Sequence, residues 1–218
     1  MSRSGRRVRV EVLSDVPGLL PGVVYPPPFP PTEKRRVDAA EVALPKALRD
    51  AIGALFARRK PLHAWELRSM LAHWRNAPVD AFNASQQAWR DASAEFYRIR
   101  NAWVGSFAHP SQGMQQFFRA WENDMSEWRA RIEKRRPIAD AIGRHLASRG
   151  SEVATDDEKL ETRRMLVSYA GLAADIGRIT ATHAEGIHGI LRARVEAEAI
   201  GNSLALGLET IAKAFAAV

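Results

Sequence analysis

Apolar residues recur along most of this chain at three- and four-residue steps, the period of an amphipathic helix, and only the first 37 residues depart from it. Leu48, Ile52, Leu55 and Phe56 make one such stripe, running to about Arg59. Asp38 and Glu41 stand ahead of it in the capping-box relation, and Pro45 suits a first helical turn, where its missing N–H does no harm. Pro61 opens a second stripe in the same way, carrying Leu67, Met70, Leu71 and Trp74 and ended by Ala77-Pro78.

The sharpest pattern follows. Phe82, Trp89, Phe96 and Trp103 recur every seven residues, bordered by the smaller Ser85, Ala92 and the Ile99 side chain, which predicts a helix from about Val79 to Phe107. Heptad-spaced aromatics can stack a flat ligand, but on one helical face they are far more often core. Ala108-His109-Pro110 interrupts the chain, and Ser111 is a candidate N-cap for a helix marked by Met114, Phe117, Phe118, Trp121, Met125, Trp128 and Ile132. The pair predicts an antiparallel aromatic hairpin with Phe82, Trp89, Phe96, Trp103, Phe117, Trp121 and Trp128 as its core. Pro137 is expected to kink or restart the helix before Ile138, Ile142 and Leu146, and Gly150 closes the region.

Thr155-Asp156-Asp157-Glu158 signals a new start: the threonine caps, the glutamate reciprocates, and the aspartates favour the positive end of the helix dipole. No proline follows, so one helix of about 55–60 residues is expected unless its glycines break it near Gly186-Ile187-His188-Gly189 or Gly201-Asn202. Ile200, Leu204, Leu208, Ile211 and Phe215 fall on one side of its end and suit burial against a partner helix, in the same chain or another.

The front of the chain is different in kind. Val8, Val10 and Val12 alternate with Arg7, Arg9 and Glu11, the period of a strand, and Tyr25-Pro26-Pro27-Pro28-Phe29-Pro30-Pro31 favours polyproline II. A lone strand and a proline strap have no core of their own, so Val8, Val10, Val12, Tyr25 and Phe29 are candidate partner contacts, together with Leu204, Leu208, Ile211 and Phe215 at the far end. The expected fold is all-α: an elongated helical bundle with an aromatic helical hairpin, a long C-terminal helix or helices, and an extended N-terminal arm. Its expected divisions are a Pro-rich basic arm over 1–37, a helical bundle over 38–150 and a long helical segment over 151–218.

Composition narrows the function classes. The 218 residues are 46% hydrophobic, enough for a real core, and the absence of cysteine excludes disulfides, thiolate metal sites and cysteine nucleophiles. The net charge of +7 is uneven, since residues 1–150 hold 25 Lys/Arg against 15 Asp/Glu and the remainder 7 against 10. Candidate phosphate contacts are Arg6, Arg7, Arg9, Lys34, Arg35, Arg36, Arg131, Lys134, Arg135 and Arg136, with Arg3, Arg58, Arg59 and Lys60 as further cations. Acidic residues interrupt most helices, however, and no helix-turn-helix, zinc finger or aromatic RNA-recognition motif is assignable.

Catalytic and cofactor signatures are missing from the sequence. The six histidines make no H-E-x-x-H arrangement, and His183 and His188 are five residues apart, on different faces of a helix. No G-x-S-x-G elbow, P-loop or G-x-G-x-x-G turn occurs. The expectation is a non-enzymatic structural or adaptor subunit without metal or cofactor, contacting other protein subunits or copies of itself, with a nucleic-acid-binding protein as the alternative. The basic start is followed by Glu11, Asp15 and Pro17, so no secretory signal is expected, and without a run of eighteen apolar residues no membrane span is expected. The polar face of the last turns, with Glu209 and only Lys213, is poor for anionic lipid, so direct membrane binding is not expected either. The expected location is the cytoplasm or a particle assembled there.

Overall fold

The structure is a computed structural model that describes residues 34–57, 60–102 and 112–216, with side chains described over 34–57, 60–98 and 114–192. Over these residues the chain is all-α: α1 (Lys34–Val42), α2 (Lys46–Phe56), α3 (Ala64–Trp74), α4 (Ala77–Ala102), α5 (Gln112–Arg149) and α6 (Asp156–Ala216). The strand pattern Val8–Val12, the proline strap and the Ala108–Ser111 interruption lie outside the described residues.

Several helix starts differ from the sequence expectation. Because α1 begins at Lys34, Asp38 and Glu41 are interior residues and form no capping box. Asp38 pairs with Lys34 at 2.7 Å one turn earlier, and the buried Glu41 accepts from Arg163 Nε at 2.6 Å, a tie across 122 residues that draws α1 onto the core. Residues 34–37 are therefore helical, with Val37 fully buried. Pro45 is the N-cap of α2, one position before the first turn. Pro61 does not start α3, because His63 takes the cap position and its backbone amide donates to Glu66 Oε2 at 3.0 Å.

Two compact units divide the chain, and the divisions fall inside α4, α5 and α6. The first comprises Met1–Ser85 with Asp124–Arg178, and the second Gln86–Asn123 with Ile179–Val218. In the first unit, Val37, Ile52, Leu67, Ile138, Ile142, Leu146, Met165 and Leu166 belong to one buried cluster. From Glu161 to Leu172 every residue of α6 except Arg163 is buried, so this stretch is a core helix. Its charged groups pair, with Arg164 Nε donating to Glu161 Oε2 at 3.0 Å and Arg135 Nε to Ser168 Oγ at 2.9 Å, whereas the buried Thr162 hydroxyl has no hydrogen-bond partner among the described residues. Phe82 and Trp128 are buried here too, with the Arg129 guanidinium 5.6 Å from the Phe82 ring centroid.

The turn between α5 and α6 is fixed by backbone pairing. Gly150, at φ +56, ends α5 in the left-handed conformation that a Cβ disfavours. The chain then runs beside the entry to α3: Ala154 N donates to Leu62 O at 2.8 Å, Ala64 N to Glu152 O at 3.0 Å, and His63 and Val153 form an antiparallel bridge.

Neither Pro137 nor the glycines of the C-terminal segment ends a helix. α5 passes through Pro137, where a missing bond and a steric clash cost about 3 kcal/mol, because Ile138, Ile142 and Leu146 beyond it and Trp128 before it are all buried. α6 likewise runs unbroken past Gly186, Gly189 and Gly201. At Gly186 the packing explains the tolerance, since a Cβ there would stand 3.0 Å from Phe117 Cε1 and the glycine admits the ring.

Candidate functional site

The second unit holds an aromatic cluster in which Phe118 of α5 is the hub. Its ring meets Trp89 edge-on at a centroid distance of 6.0 Å and Phe96 at 5.7 Å, and Phe96 meets Tyr97 at 5.4 Å. Beside it Trp121, fully buried, stacks on His183 at 5.4 Å and 13°. Of the heptad aromatics, Phe82 and Phe96 are buried, and Phe117 is not a core residue: it is 37% exposed and covers Gly186, while its neighbour Phe118 holds the position between Trp89 and Phe96. Trp89 is only partly buried, and Trp103 lies outside the described residues.

Against this cluster lies a cavity of about 410 Å³. Trp89, Ser93, Phe96 and Tyr97 line it from α4 at helical spacing, and Gln115, Phe118, Arg119 and Glu122 from α5. Tyr97 is 50% exposed, Gln115, Arg119 and Glu122 are exposed, and Trp89 Nε1 is enclosed without a hydrogen-bond partner. Aromatic walls with a rim of amide, guanidinium and carboxylate suit an inserted apolar or aromatic side chain. Sequence periodicity pointed to Trp89 and Phe96 but missed Tyr97, Gln115, Arg119 and Glu122: Gln115 and Glu122 stand three and four residues from Phe118, while Tyr97 and Arg119 are merely the chain neighbours of Phe96 and Phe118.

A second polar constellation sits at the start of α6. The expected capping box is present: Glu158 N donates to Thr155 Oγ1 at 3.2 Å, and Glu158 Oε2 accepts from Thr155 N at 2.7 Å. Glu158 Oε1 also receives His145 Nε2 at 2.9 Å and Arg149 Nε at 3.1 Å from α5. Burial acts to raise the Glu158 pKa, but the Thr155 amide, His145 and Arg149 outweigh it and hold the carboxyl below its usual range. With its side chain 2% exposed and its oxygens engaged, this carboxylate locks two helices together.

The cations named from sequence scatter. Arg6, Arg7 and Arg9 lie outside the described residues, as do Val8, Val10, Val12, Tyr25 and Phe29, and the side chains of Leu204, Leu208, Ile211 and Phe215. Lys34 is engaged by Asp38, while Arg35 and Arg36 share α1 with it. Arg135 is not a surface cation: it is 1% exposed and donates to Ser168 Oγ and to Arg131 O. Arg131 lies 3.8 Å from Asp175, Arg136 is exposed but 3.3 Å from Glu133, and Lys134 is exposed on the same helix. Among the described residues, no group of three or more His, Asp or Glu could hold a metal ion, and no helix is long and apolar enough to cross a membrane. No family model, curated protein or solved structure matches the chain.

Proposed function

We propose that this chain is a non-enzymatic structural or adaptor subunit of a larger assembly, and that it binds other protein subunits through helical surfaces, with the N-terminal arm as an additional contact. The observation that carries the reading is the cleft of the second unit, where Trp89, Phe96, Tyr97 and Phe118 form an aromatic wall with Arg119 and Glu122 at its edge. Tyr, Trp and Arg are the residues enriched at the energetic centres of protein interfaces, and a half-exposed tyrosine beside a concavity is matched by a partner's apolar side chain. The nucleic-acid alternative has weaker support, because Arg135 is buried and Arg131 and Arg136 lie beside carboxylates.

Photocrosslinking in cells tests the reading. A photoreactive residue at Tyr97 is expected to give a discrete protein adduct that the same residue at exposed Asp50 in the first unit does not give. Adducts no stronger at Tyr97 than at Asp50 would overturn the docking role of the cleft.

A further inference from the structure

The first unit carries a different concavity, of about 300 Å³, between α3 and α5. Its charged lining is Arg68 from α3 and Arg75 at the C-cap of α3, with Asp140 and Arg144 from α5. Arg75 Nη1 lies 3.3 Å from Asp140 Oδ1. Arg68 and Arg144 are exposed and make no ion pair with a described residue. Three guanidiniums therefore face one carboxylate, and two positive charges are left unbalanced on a surface whose exposed apolar lining is Ala72 and Ala147. Between them, a Cβ built on Gly143 meets no atom within 4 Å, so the space above this part of the wall is open.

We propose that this groove binds a phosphate monoester whose organic body rests on Ala72 and Ala147. Charge selects the monoester: at neutral pH it carries about −1.5 to −2, which offsets the excess of the groove, whereas a carboxylate or a phosphodiester supplies a single charge. Chemistry agrees, because guanidinium forks match the three terminal oxygens of a monoester through paired, charge-assisted hydrogen bonds. The volume agrees as well, at the lower end of the range for small-ligand cavities. The monoester can belong to a free small molecule or to a phosphorylated side chain of a partner protein; the recognition chemistry is the same. The groove is separate in sequence and in lining from the aromatic cleft, so either reading can fail without the other.

Calorimetric titration of the full chain at fixed ionic strength provides the test, with phenyl phosphate, its methyl diester and benzoate as probes. Phenyl phosphate is expected to saturate one site, and the two monoanions to bind at least about tenfold more weakly. Arg68→Gln/Arg144→Gln, at two exposed positions, is expected to weaken phenyl phosphate about tenfold or more, and Arg90→Gln in the second unit to leave it unchanged. Gly143→Phe, which fills the open space, is expected to abolish binding while the helical circular dichroism is kept. A phosphoserine peptide that binds more tightly than phenyl phosphate, and loses that binding in the double variant, assigns the site to a modified partner; weaker binding assigns it to a free ester. No saturable heat at about millimolar phenyl phosphate, equal affinity for benzoate, or unchanged affinity in the double variant overturns the proposal.

Discussion

Replacing Glu158 should destabilise the protein far more than its place in an exposed-looking acidic run suggests. Glu158→Ala removes the reciprocating half of a capping box, a loss of about 0.5–2 kcal/mol, and leaves the Thr155 amide without its acceptor at 2.7 Å. It also strips His145 and Arg149 of a carboxylate acceptor that is 2% exposed, and removing one partner from such a buried pair costs about 3–5 kcal/mol. These contributions overlap, because Arg149 keeps Glu152 at 2.6 Å, so the expected total is about 3–5 kcal/mol. Glu158→Gln keeps the shape and one acceptor oxygen and should cost roughly half as much. Urea denaturation at pH 7, followed by far-ultraviolet circular dichroism, reads both values directly. The carboxyl is held below its ordinary pKa of 4.5 in the folded state, so its stabilisation is present in full above that value and is lost as pH falls through the lower folded value. Wild type should thus lose its advantage over Glu158→Gln between pH 5 and more acidic conditions, as a rough window. A Glu158→Ala loss below about 1 kcal/mol, or a wild-type advantage that grows on acidification, would refute the linkage of α5 to α6 through this carboxylate.

Further outcomes follow from burial. Trp121→Ala, at a fully buried position stacked on His183, is expected to cost about 3–5 kcal/mol in urea denaturation, and Trp89→Ala, only partly buried, distinctly less. Thr162→Val should be neutral or stabilising by about 0.5–1 kcal/mol, because the buried hydroxyl has no hydrogen-bond partner; a loss above about 1 kcal/mol would show that it has one. Leu204→Asp/Leu208→Asp, from the apolar stripe of the sequence, should lower the molar mass seen by light scattering at about micromolar concentration if that stripe joins copies of the chain, and an unchanged mass with an intact fold removes self-association through it.

What was legible in the sequence was local. The Thr155–Glu158 cap could be read because both partners lie within one turn, and the α4 aromatics because a seven-residue period keeps them on one face. His145 and Arg149 could not be assigned to Glu158, since their meeting depends on the Gly150 turn folding α5 back beside α6. The Glu41–Arg163 pair, 122 residues apart, left no trace at all. Arg135 was misread as a surface cation because it sits in a charge run. Its spacing of three and seven residues from Ile138 and Ile142 places it on the buried stripe, and that was the available signal. The aromatic cleft was half visible: Trp89 and Phe96 carried a period, whereas Tyr97, Arg119 and Glu122 acquire meaning only when α4 lies beside α5.

The division of the chain has a consequence for how it is made. Neither unit is one continuous stretch of sequence: the first needs residues on both sides of 86–123, and the second on both sides of 124–178. On a ribosome, Leu67 emerges long before the Ile142 and Leu166 with which it shares a core, so the first unit cannot close until the opening half of α6 has been synthesised. Nascent α1, α2 and α3 must wait with their apolar faces uncovered, an interval of about 5–20 s at bacterial-like elongation rates for the last hundred or so residues. A chain truncated ahead of Met165 therefore lacks part of the core that covers these helices, and early exposed surface of this kind is the sort that chaperones bind.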